Sequence, residues 1–254
     1  MGFIPGLVSV TFRKLSPDEI LDLCQECGLK MIEWGGDVHV PTGDLAAAQR
    51  VAELSLAAKV TPIAYGSYWR AGQGAPFELV LETANALGAP RIRVWAGVKG
   101  SAETSPEEFE ACVYEIELAE EMAGKKGQRL TVEIHPNTLT DTPEAAQRLM
   151  RRLDGKAMCH WQPSPHLSIE ENLDQLAKLR PWVQGFHVFH WRPTETGVDR
   201  RPLAEGREDW ERFLDLAPPG NHWLLHEFVK EDDPDQLRTD AAELRRWTEV
   251  SDKR

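Results

Sequence analysis

The sequence predicts a single (β/α)8 TIM barrel that spans residues 1–254. Eight apolar runs alternate with eight helix-like segments, and 254 residues suffice for one such barrel. Several of the runs end in a residue that can do chemistry, as barrel strands do at their carboxyl ends. No Pro/Gly/Ser-rich linker divides the chain, so one domain is the simpler interpretation.

The elements follow in order along the chain. Short apolar runs, each followed by a helical pattern instead of a tight turn, favour parallel strands. The predicted strands cover residues 4–10, 30–34, 60–65, 90–96, 129–134, 156–161, 183–189 and 223–228. The predicted helices cover residues 17–27, 44–58, 76–87, 106–124, 143–152, 169–179, 208–216 and 234–249. The first helix shows a typical start, with Ser16 as N-cap and Pro17 in the first turn.

A doubly wound open sheet is the alternative fold. Such a sheet normally carries a glycine-rich phosphate turn after its first strand. Here that segment reads VTFRKLSPDE and contains no glycine, and no P-loop occurs elsewhere. The longest loops, GGDVHVPTGD, GSYWRAGQGAP and WRPTETGVDRRPLAEGRED, follow predicted strands two, three and seven. In a barrel these loops lie on the catalytic face.

Composition narrows the expected partners. With 41% hydrophobic and 28% charged residues, the chain is an ordinary globular protein. A net charge of −12 without a basic run does not favour nucleic acid. No stretch reaches the roughly 20 apolar residues that span a bilayer, and MGFIPGLVSVTFRK resembles a strand more than a signal peptide. We expect a cytoplasmic protein with a small-molecule substrate and no membrane partner; homo-oligomers are common among barrels.

The chain contains four cysteines, and two of them, Cys24 and Cys27, form a C-x-x-C sequence. This pair falls late in a predicted helix, with no strand directly before it. A redox or zinc role is therefore less favoured than two small core-facing residues one turn apart.

Alternation along the strands predicts which side chains enter the barrel, because successive residues of a strand point to opposite faces. On four strands the polar residues share the inward parity. The predicted inward residues are Arg91, Arg93 and Trp95 on strand four, Thr131, Glu133 and His135 on strand five, Gly185, His187 and Phe189 on strand seven, and Trp223, Leu225 and Glu227 on strand eight.

Glu133 and Glu227 form the strongest catalytic pair. Two carboxylates that bracket a substrate can remove a proton from one face of a carbon and return it on either. The alternative is that Arg93 and His187 merely neutralise two buried acids. We favour the catalytic interpretation because buried carboxylates are seldom kept without a task.

His187 is the predicted imidazole ligand of a metal. Imidazole and carboxylate ligands suit Mn²⁺, Co²⁺, Zn²⁺ or Mg²⁺. A single inward histidine is more often a satisfied core residue, but its shared parity with Glu133 and Glu227 favours metal binding.

Four further residues are candidate substrate contacts: Glu33, Arg93, His135 and His190. Glu33 could instead pair with a loop cation, Arg93 could serve only as counter-ion to Glu133, and His190 could simply begin a loop. Aromatic residues at strand ends are candidates for walls against a sugar or for barrel packing. They are Trp34, Tyr65, Trp95 and Trp161.

Several motifs together resemble the xylose-isomerase-like TIM barrel superfamily, in particular its sugar phosphate isomerase/epimerase group. The resemblance covers nearly the whole chain and rests on MIEWGGDVHVPTGD, YGSYWRAG, ALGAPRIRVWAG, LTVEIHPNTLTDT and HWQPSP. It implies one divalent metal held by Glu, Asp, His and Glu from strands five to eight. Glu133, His187 and Glu227 occupy the first, third and fourth of these positions.

The second position departs from the family pattern. Where the family has Asp, this chain reads CHWQPSPH, and Gln162 is the nearest candidate, with His160 less favoured. A glutamine carbonyl can bind a hard cation but brings no charge, so we expect weaker metal binding.

The resemblance implies a metal-dependent isomerase or epimerase of a small hydroxy-carbonyl compound that works through an enediolate. Dehydration begins with the same proton abstraction and stays open. A sugar-binding barrel without catalysis is an alternative from a different class, and Gln162 favours it. An endonuclease IV-like repair enzyme is less favoured, because such enzymes need more His and Asp ligands and a basic DNA face.

Overall fold

The computed structural model describes residues 2–251 and contains the predicted strands with small shifts. The limits of the predicted domain, residues 1 and 254, lie outside the described residues. The strands are β1 (Gly2–Val8), β2 (Met31–Gly35), β3 (Thr61–Ala71), β4 (Arg91–Ala96), β5 (Arg129–Glu133), β6 (Met158–Trp161), β7 (Val183–Val188), β8 (Trp191–Thr194), β9 (Gly197–Arg200) and β10 (Asn221–His226). All of these except β8 and β9 are parallel and close in the order β1-β10-β7-β6-β5-β4-β3-β2. The chain is therefore a (β/α)8 TIM barrel, as predicted.

The helices begin and end close to the predicted positions. They are α1 (Pro17–Cys27), α2 (Leu45–Ala58), α3 (Glu78–Leu87), α4 (Pro106–Gly124), α5 (Pro143–Leu153), α6 (Ile169–Leu179), α7 (Arg207–Asp215) and α8 (Pro234–Ser251). Helix α1 starts at a capping box in which Ser16 and Glu19 exchange hydrogen bonds. Such caps are local, which explains why the sequence predicts these starts well.

Two features on the carboxyl side of the barrel differ from the predicted elements. Strands β8 and β9 pair antiparallel and form a hairpin within the segment after β7 that we expected to be a loop. Strand β3 continues to Ala71, beyond the predicted end at residue 65, and its register with β4 shifts between Gly66 and Arg70. Inside this irregular stretch Tyr68 takes a left-handed conformation, with φ +58°.

The apolar core lies between the strands and the surrounding helices, whereas the carboxyl half of the barrel interior is polar. Cys24 and Cys27 are free and buried in this core, which agrees with the packing interpretation. Among the residues that the structure describes, no helix is both long enough and apolar enough to cross a membrane.

Candidate functional site

A cavity of about 310 Å³ opens at the carboxyl ends of the barrel strands. Five of the predicted site residues line it: Arg93, Glu133, His135, Gln162 and Glu227. Parallel strands bring their carboxyl ends to one face, so residues distant in sequence meet there. Of the residues predicted at the ends of strands five to eight, Glu133, Gln162 and Glu227 line the cavity, whereas His187 is fully buried and does not line it.

His187 lies between the two predicted catalytic carboxylates. Its Nδ1 is 3.4 Å from Glu133 Oε1 and 3.6 Å from Glu227 Oε2. The His187 side chain is fully buried, and this Nδ1 has no hydrogen-bond partner among the described residues. We refer to Glu133, His187 and Glu227 as the carboxylate–histidine cluster.

The electrostatic surroundings of His187 favour positive charge. Burial lowers the pKa of His187, but the carboxylates of Glu227 and Glu33 outweigh burial and raise it to about 10. A cation next to His187 Nδ1, whether a proton or a metal ion, is therefore stabilised by the acids around it.

Glu133 is held as an anion by three donors. Arg93 Nη1 and Trp95 Nε1 both donate to Glu133 Oε2. Gln162 Nε2 donates to Glu133 Oε1 at 3.2 Å. Burial raises the pKa of Glu133, but Arg93 and then His187 hold it well below its usual range.

The pKa of Glu227 shifts in the opposite direction to that of Glu133, although both side chains line the cavity. Glu227 follows β10, and its backbone N–H donates to Val188 O at 2.9 Å. Burial raises the pKa of the Glu227 carboxyl to about 7; His187 lowers this pKa, and Glu133 raises it. A carboxyl group with a pKa near neutrality can both take up and release a proton.

Arg93 on β4 binds two carboxylates, Glu133 on β5 and Glu33 on β2. Besides Glu133 it binds Glu33, with Arg93 Nε 2.7 Å from Glu33 Oε1. Burial raises the pKa of Glu33, but Arg93 and His187 lower it to about 2. Glu33 is fully buried and does not line the cavity, so its position does not match the predicted contact with substrate.

The two predicted histidine contacts separate in the structure. His135 lines the cavity, with its ring 4.9 Å from that of Trp95. His190 instead lines a neighbouring cavity of about 200 Å³ between the loops that follow β6 and β7. The structure therefore brings His135, but not His190, to the carboxylate–histidine cluster.

Of the four strand-end aromatic residues, Trp95 alone among the described ones lines the cavity. Trp34 donates to Ser55 of α2, at 3.2 Å, and the Trp161 ring packs 5.1 Å from Phe213 of α7. Tyr65 donates to Val40 O at 3.0 Å. These three side chains belong to the packing layer around the barrel and do not form walls for a substrate.

Further lining residues, which the sequence did not single out, come from loops and from strands β3 and β8. They are Arg13, Tyr68, His166, Trp191 and Phe228. Tyr68 accepts a hydrogen bond from Arg13 Nη2 at 3.2 Å, and its ring meets that of Trp95 edge-on at 5.2 Å. Irregular segments lack a hydrophobic period, so the signals for these residues were motifs: YGSYWRAG contains Tyr68, and CHWQPSPH ends in His166.

The chemistry of the donor set fits a divalent cation. One candidate donor set is the carboxylate–histidine cluster, where the unpartnered His187 Nδ1 lies near one oxygen of Glu133 and one of Glu227. The other is Glu33, His160 and His187, and it is the group among the described residues whose ligand atoms all lie within 4.8 Å of one another. All three of its side chains are fully buried, and Arg93 already occupies Glu33 Oε1. The first set alone includes carboxylates that line the cavity, so it suits a reaction with substrate better.

Comparison with known proteins gives one family. A model described as xylose isomerase-like TIM barrel matches residues 21–248. A 3-dehydroshikimate dehydratase from Bacillus anthracis is 27% identical over 178 residues, which are 63% of this chain and 64% of that relative. The alignment therefore spans less than two thirds of the relative's length.

Solved structures agree on the fold. The probable 3-DHS dehydratase AsbF of Bacillus anthracis, involved in petrobactin synthesis, superposes with a TM-score of 0.78 at 23% identity, covering 95% of this chain and 98% of that one. The IOLI protein with a bound zinc atom superposes with a TM-score of 0.71 at 14% identity, covering 99% and 97%. At such identities the likeness shows the barrel and its topology.

Proposed function

The chain belongs to the xylose isomerase-like TIM barrel family, and from this premise we propose that it removes a proton from the carbon beside the carbonyl group of a small hydroxylated compound. One observation carries the proposal: Glu133 and Glu227 line the same cavity and flank His187 Nδ1 at 3.4 and 3.6 Å. Two carboxylates in one cavity, one of them with a pKa near neutrality, can move a proton to and from a substrate carbon.

We assign the two carboxylates different roles. Glu227 is the proton acceptor, because it lines the cavity and burial raises its pKa to about 7 in the metal-free site, so that it can take up a proton and release it again. Glu133 stays anionic, because Arg93 and Trp95 bind one of its oxygens. Pairs of acids whose surroundings separate their pKa values commonly divide acid–base work in this way.

The carboxylate–histidine cluster would hold the divalent metal, with Glu133, His187 and Glu227 as ligands. When bound, such an ion polarises a carbonyl oxygen and so acidifies the neighbouring C–H bond. The bound zinc in the IOLI structure supports a metal in this fold. Of Mn²⁺, Co²⁺, Zn²⁺ and Mg²⁺, the donor set of one imidazole and two carboxylates selects none uniquely.

Dehydration is the outcome that we favour. Glu227 takes the proton from the carbon beside the carbonyl, and the electron pair of that C–H bond forms a carbon–carbon double bond. A hydroxyl group on the next carbon leaves as water with the proton that Glu227 took up. The relative named 3-dehydroshikimate dehydratase supports this outcome. Aromatic side chains on the cavity wall suit a flat ring: Tyr68, Trp95, Phe189 and Trp191.

Isomerisation or epimerisation of a sugar is the second candidate. It begins with the same proton abstraction, but Glu227 or a second group returns the proton to carbon. The presence of two carboxylates, Glu133 and Glu227, on the wall of one cavity favours it, because a second carboxylate is available to return the proton. Release of water distinguishes the two outcomes.

The test is hydrogen–deuterium exchange in D₂O with Mn²⁺, Co²⁺, Zn²⁺ or Mg²⁺ present. The substrates are 3-dehydroshikimate, ketoses, hydroxypyruvate and an inosose. We expect deuterium incorporation or dehydration with one of them, and a loss of about 100-fold or more in Glu227→Gln. Glu120→Gln is the matched control, because Glu120 is an acid of α4 whose bonds go to Arg129 and Leu130. Exchange that survives in Glu227→Gln contradicts the proposal, and binding without exchange of any substrate supports a sugar-binding barrel instead.

A further inference from the structure

We propose that Glu33 is a positioning residue: it accepts the Nε2 hydrogen of His187 and thereby turns Nδ1 toward Glu133 and Glu227. This inference rests on the proposed function of the carboxylate–histidine cluster and adds a residue that does not touch the cavity. It replaces the expectation that Glu33 contacts the substrate.

The geometry around the His187 ring supports this role. Its Nε2 lies 3.3 Å from Glu33 Oε2, and its Nδ1 points to the two cavity carboxylates. A carboxylate can only accept, so the nitrogen that faces Glu33 carries a hydrogen. The lone pair needed by a metal is then available on Nδ1 only. Carboxylates behind ligating histidines commonly set the orientation of the ring in this manner.

Glu33 is itself fixed from the other side. Arg93 Nε donates to Glu33 Oε1 at 2.7 Å, which leaves Oε2 for His187. Gly66 on β3 makes room for this pair: a Cβ there would lie 2.7 Å from Arg93 Nη2 and 2.8 Å from Glu33 Oε1. The ion pair therefore depends on a glycine at this position of the neighbouring strand.

The same contacts weigh against a cation between Glu33, His160 and His187. Such an ion needs the lone pair of His187 Nε2, the atom that faces Glu33 Oε2 at hydrogen-bond distance. His160, whose two ring nitrogens have no hydrogen-bond partner among the described residues, does not compete for Glu33 Oε2, because its Nδ1 is 3.8 Å away and too far for a hydrogen bond. We therefore place Glu33 behind the metal ligand His187 and not among the ligands.

The first experiment determines which ring nitrogen of His187 carries a hydrogen. It uses long-range ¹H–¹⁵N NMR on the full chain with ¹⁵N-labelled histidine. His187→Gln assigns the signals. We expect a slowly exchanging N–H on Nε2 of His187, both without metal and after addition of Zn²⁺. Glu33→Gln should shift this resonance, and Glu120→Gln should leave it unchanged. A zinc-loaded ring protonated on Nδ1, or an N–H resonance that does not respond to Glu33→Gln, overturns the inference.

The second experiment measures the Kd for Zn²⁺ by competition with a chromophoric chelator. Loss of a carboxylate behind a ligating histidine should weaken binding about 10- to 100-fold in Glu33→Gln, with little change in Glu120→Gln. Gly66→Ala, which crowds the same ion pair from β3, should weaken binding in the same direction and keeps the test available if Glu33→Gln does not fold. Equal zinc affinity in folded Glu33→Gln and wild type overturns the inference.

The experiments can reject the proposed function and the positioning role of Glu33 independently of each other. If the wild-type chain binds no Zn²⁺, the metal part of the proposed function fails, while the metal-free NMR spectrum still decides whether Glu33 holds His187 Nε2–H. If the chain binds Zn²⁺ and exchanges substrate protons but Glu33→Gln changes neither the resonance nor the Kd, the positioning role alone fails.

Discussion

Gln162 presents its amide nitrogen, and not its oxygen, to Glu133. Gln162 Nε2 is 3.2 Å from Glu133 Oε1 and 2.9 Å from Ile134 O. A backbone carbonyl can only accept, so the N–H group must face Ile134 O and the amide is fixed as a donor. Gln162 therefore stabilises the Glu133 anion through its amide nitrogen, and a role for its oxygen as the fourth metal ligand stays a prediction.

Replacement of Gln162 by aspartate tests this arrangement. We expect Gln162→Asp to bind a hard divalent cation about tenfold or more tightly, because it adds a negative ligand to the cluster. Without metal the variant should be less stable than wild type, since it removes a donor from Glu133 and places a like charge beside it. Calorimetric metal titration and thermal unfolding with and without EDTA measure the two effects. Gln162→Asn, equally short but neutral, is the control; equal metal affinity of the two variants contradicts this prediction.

The carboxylates of Glu133 and Glu227 should differ in their contribution to stability. Glu133→Gln leaves Arg93 with only one of its two buried carboxylate partners, so we expect a loss of about 3 kcal/mol or more in the free energy of unfolding. Glu227→Gln should be neutral or stabilising in alkaline buffer, because burial disfavours the ionised form of Glu227. Urea unfolding of the metal-free proteins measures both. A larger loss for Glu227→Gln would show that the roles are reversed.

His39 should make the fold sensitive to mild acid. Leu15 O lies 3.2 Å from His39 Nε2, which therefore carries the hydrogen, and the Ser9 hydroxyl lies 3.0 Å from Nδ1. Burial lowers the pKa of His39 below its usual 6.5, so the fold favours the neutral ring. The stabilisation is present above pH 6.5 and declines as the pH falls through the lowered pKa.

The matching variant for this pH dependence is His39→Gln, which cannot titrate. Between about pH 7.5 and about pH 5.5, it should lose less unfolding free energy than wild type does. Parallel urea titrations at the two pH values provide the comparison. An identical loss in both proteins would assign the acid sensitivity to other groups.

Gly185 should tolerate no side chain, because Trp223 occupies the space in front of it. A Cβ at Gly185 would lie 1.8 Å from Trp223 Nε1, inside the barrel. We expect Gly185→Ala to destabilise the fold by about 2 kcal/mol or more. Gly124, at the end of α4, has no other atom within 4 Å of such a Cβ, so Gly124→Ala should be neutral or slightly stabilising. Similar unfolding free energies for the two variants would contradict this prediction.

Much of the barrel could be predicted because its signals are local. The cap at Ser16 lies within a few residues of the helix that it starts. Strand parity likewise placed Arg93, Glu133 and Glu227 on the inner face without knowledge of their neighbours. The hairpin of β8 and β9 and the irregular stretch around Tyr68 were missed, because loop residues and a register shift leave no period in the sequence.

The sequence by itself determined the fold, the inward faces of the strands and the carboxylates that meet at one end of the barrel. Only the tertiary structure decided how these groups differ. Glu133 and Glu227 are chemically identical side chains. Arg93 and Trp95 bind Glu133 and keep it ionised, whereas burial raises the pKa of Glu227. Glu33, predicted as a substrate contact, faces His187 and does not line the cavity. Electrostatic energy depends on distances between atoms from different strands, and such distances exist only once the barrel has closed.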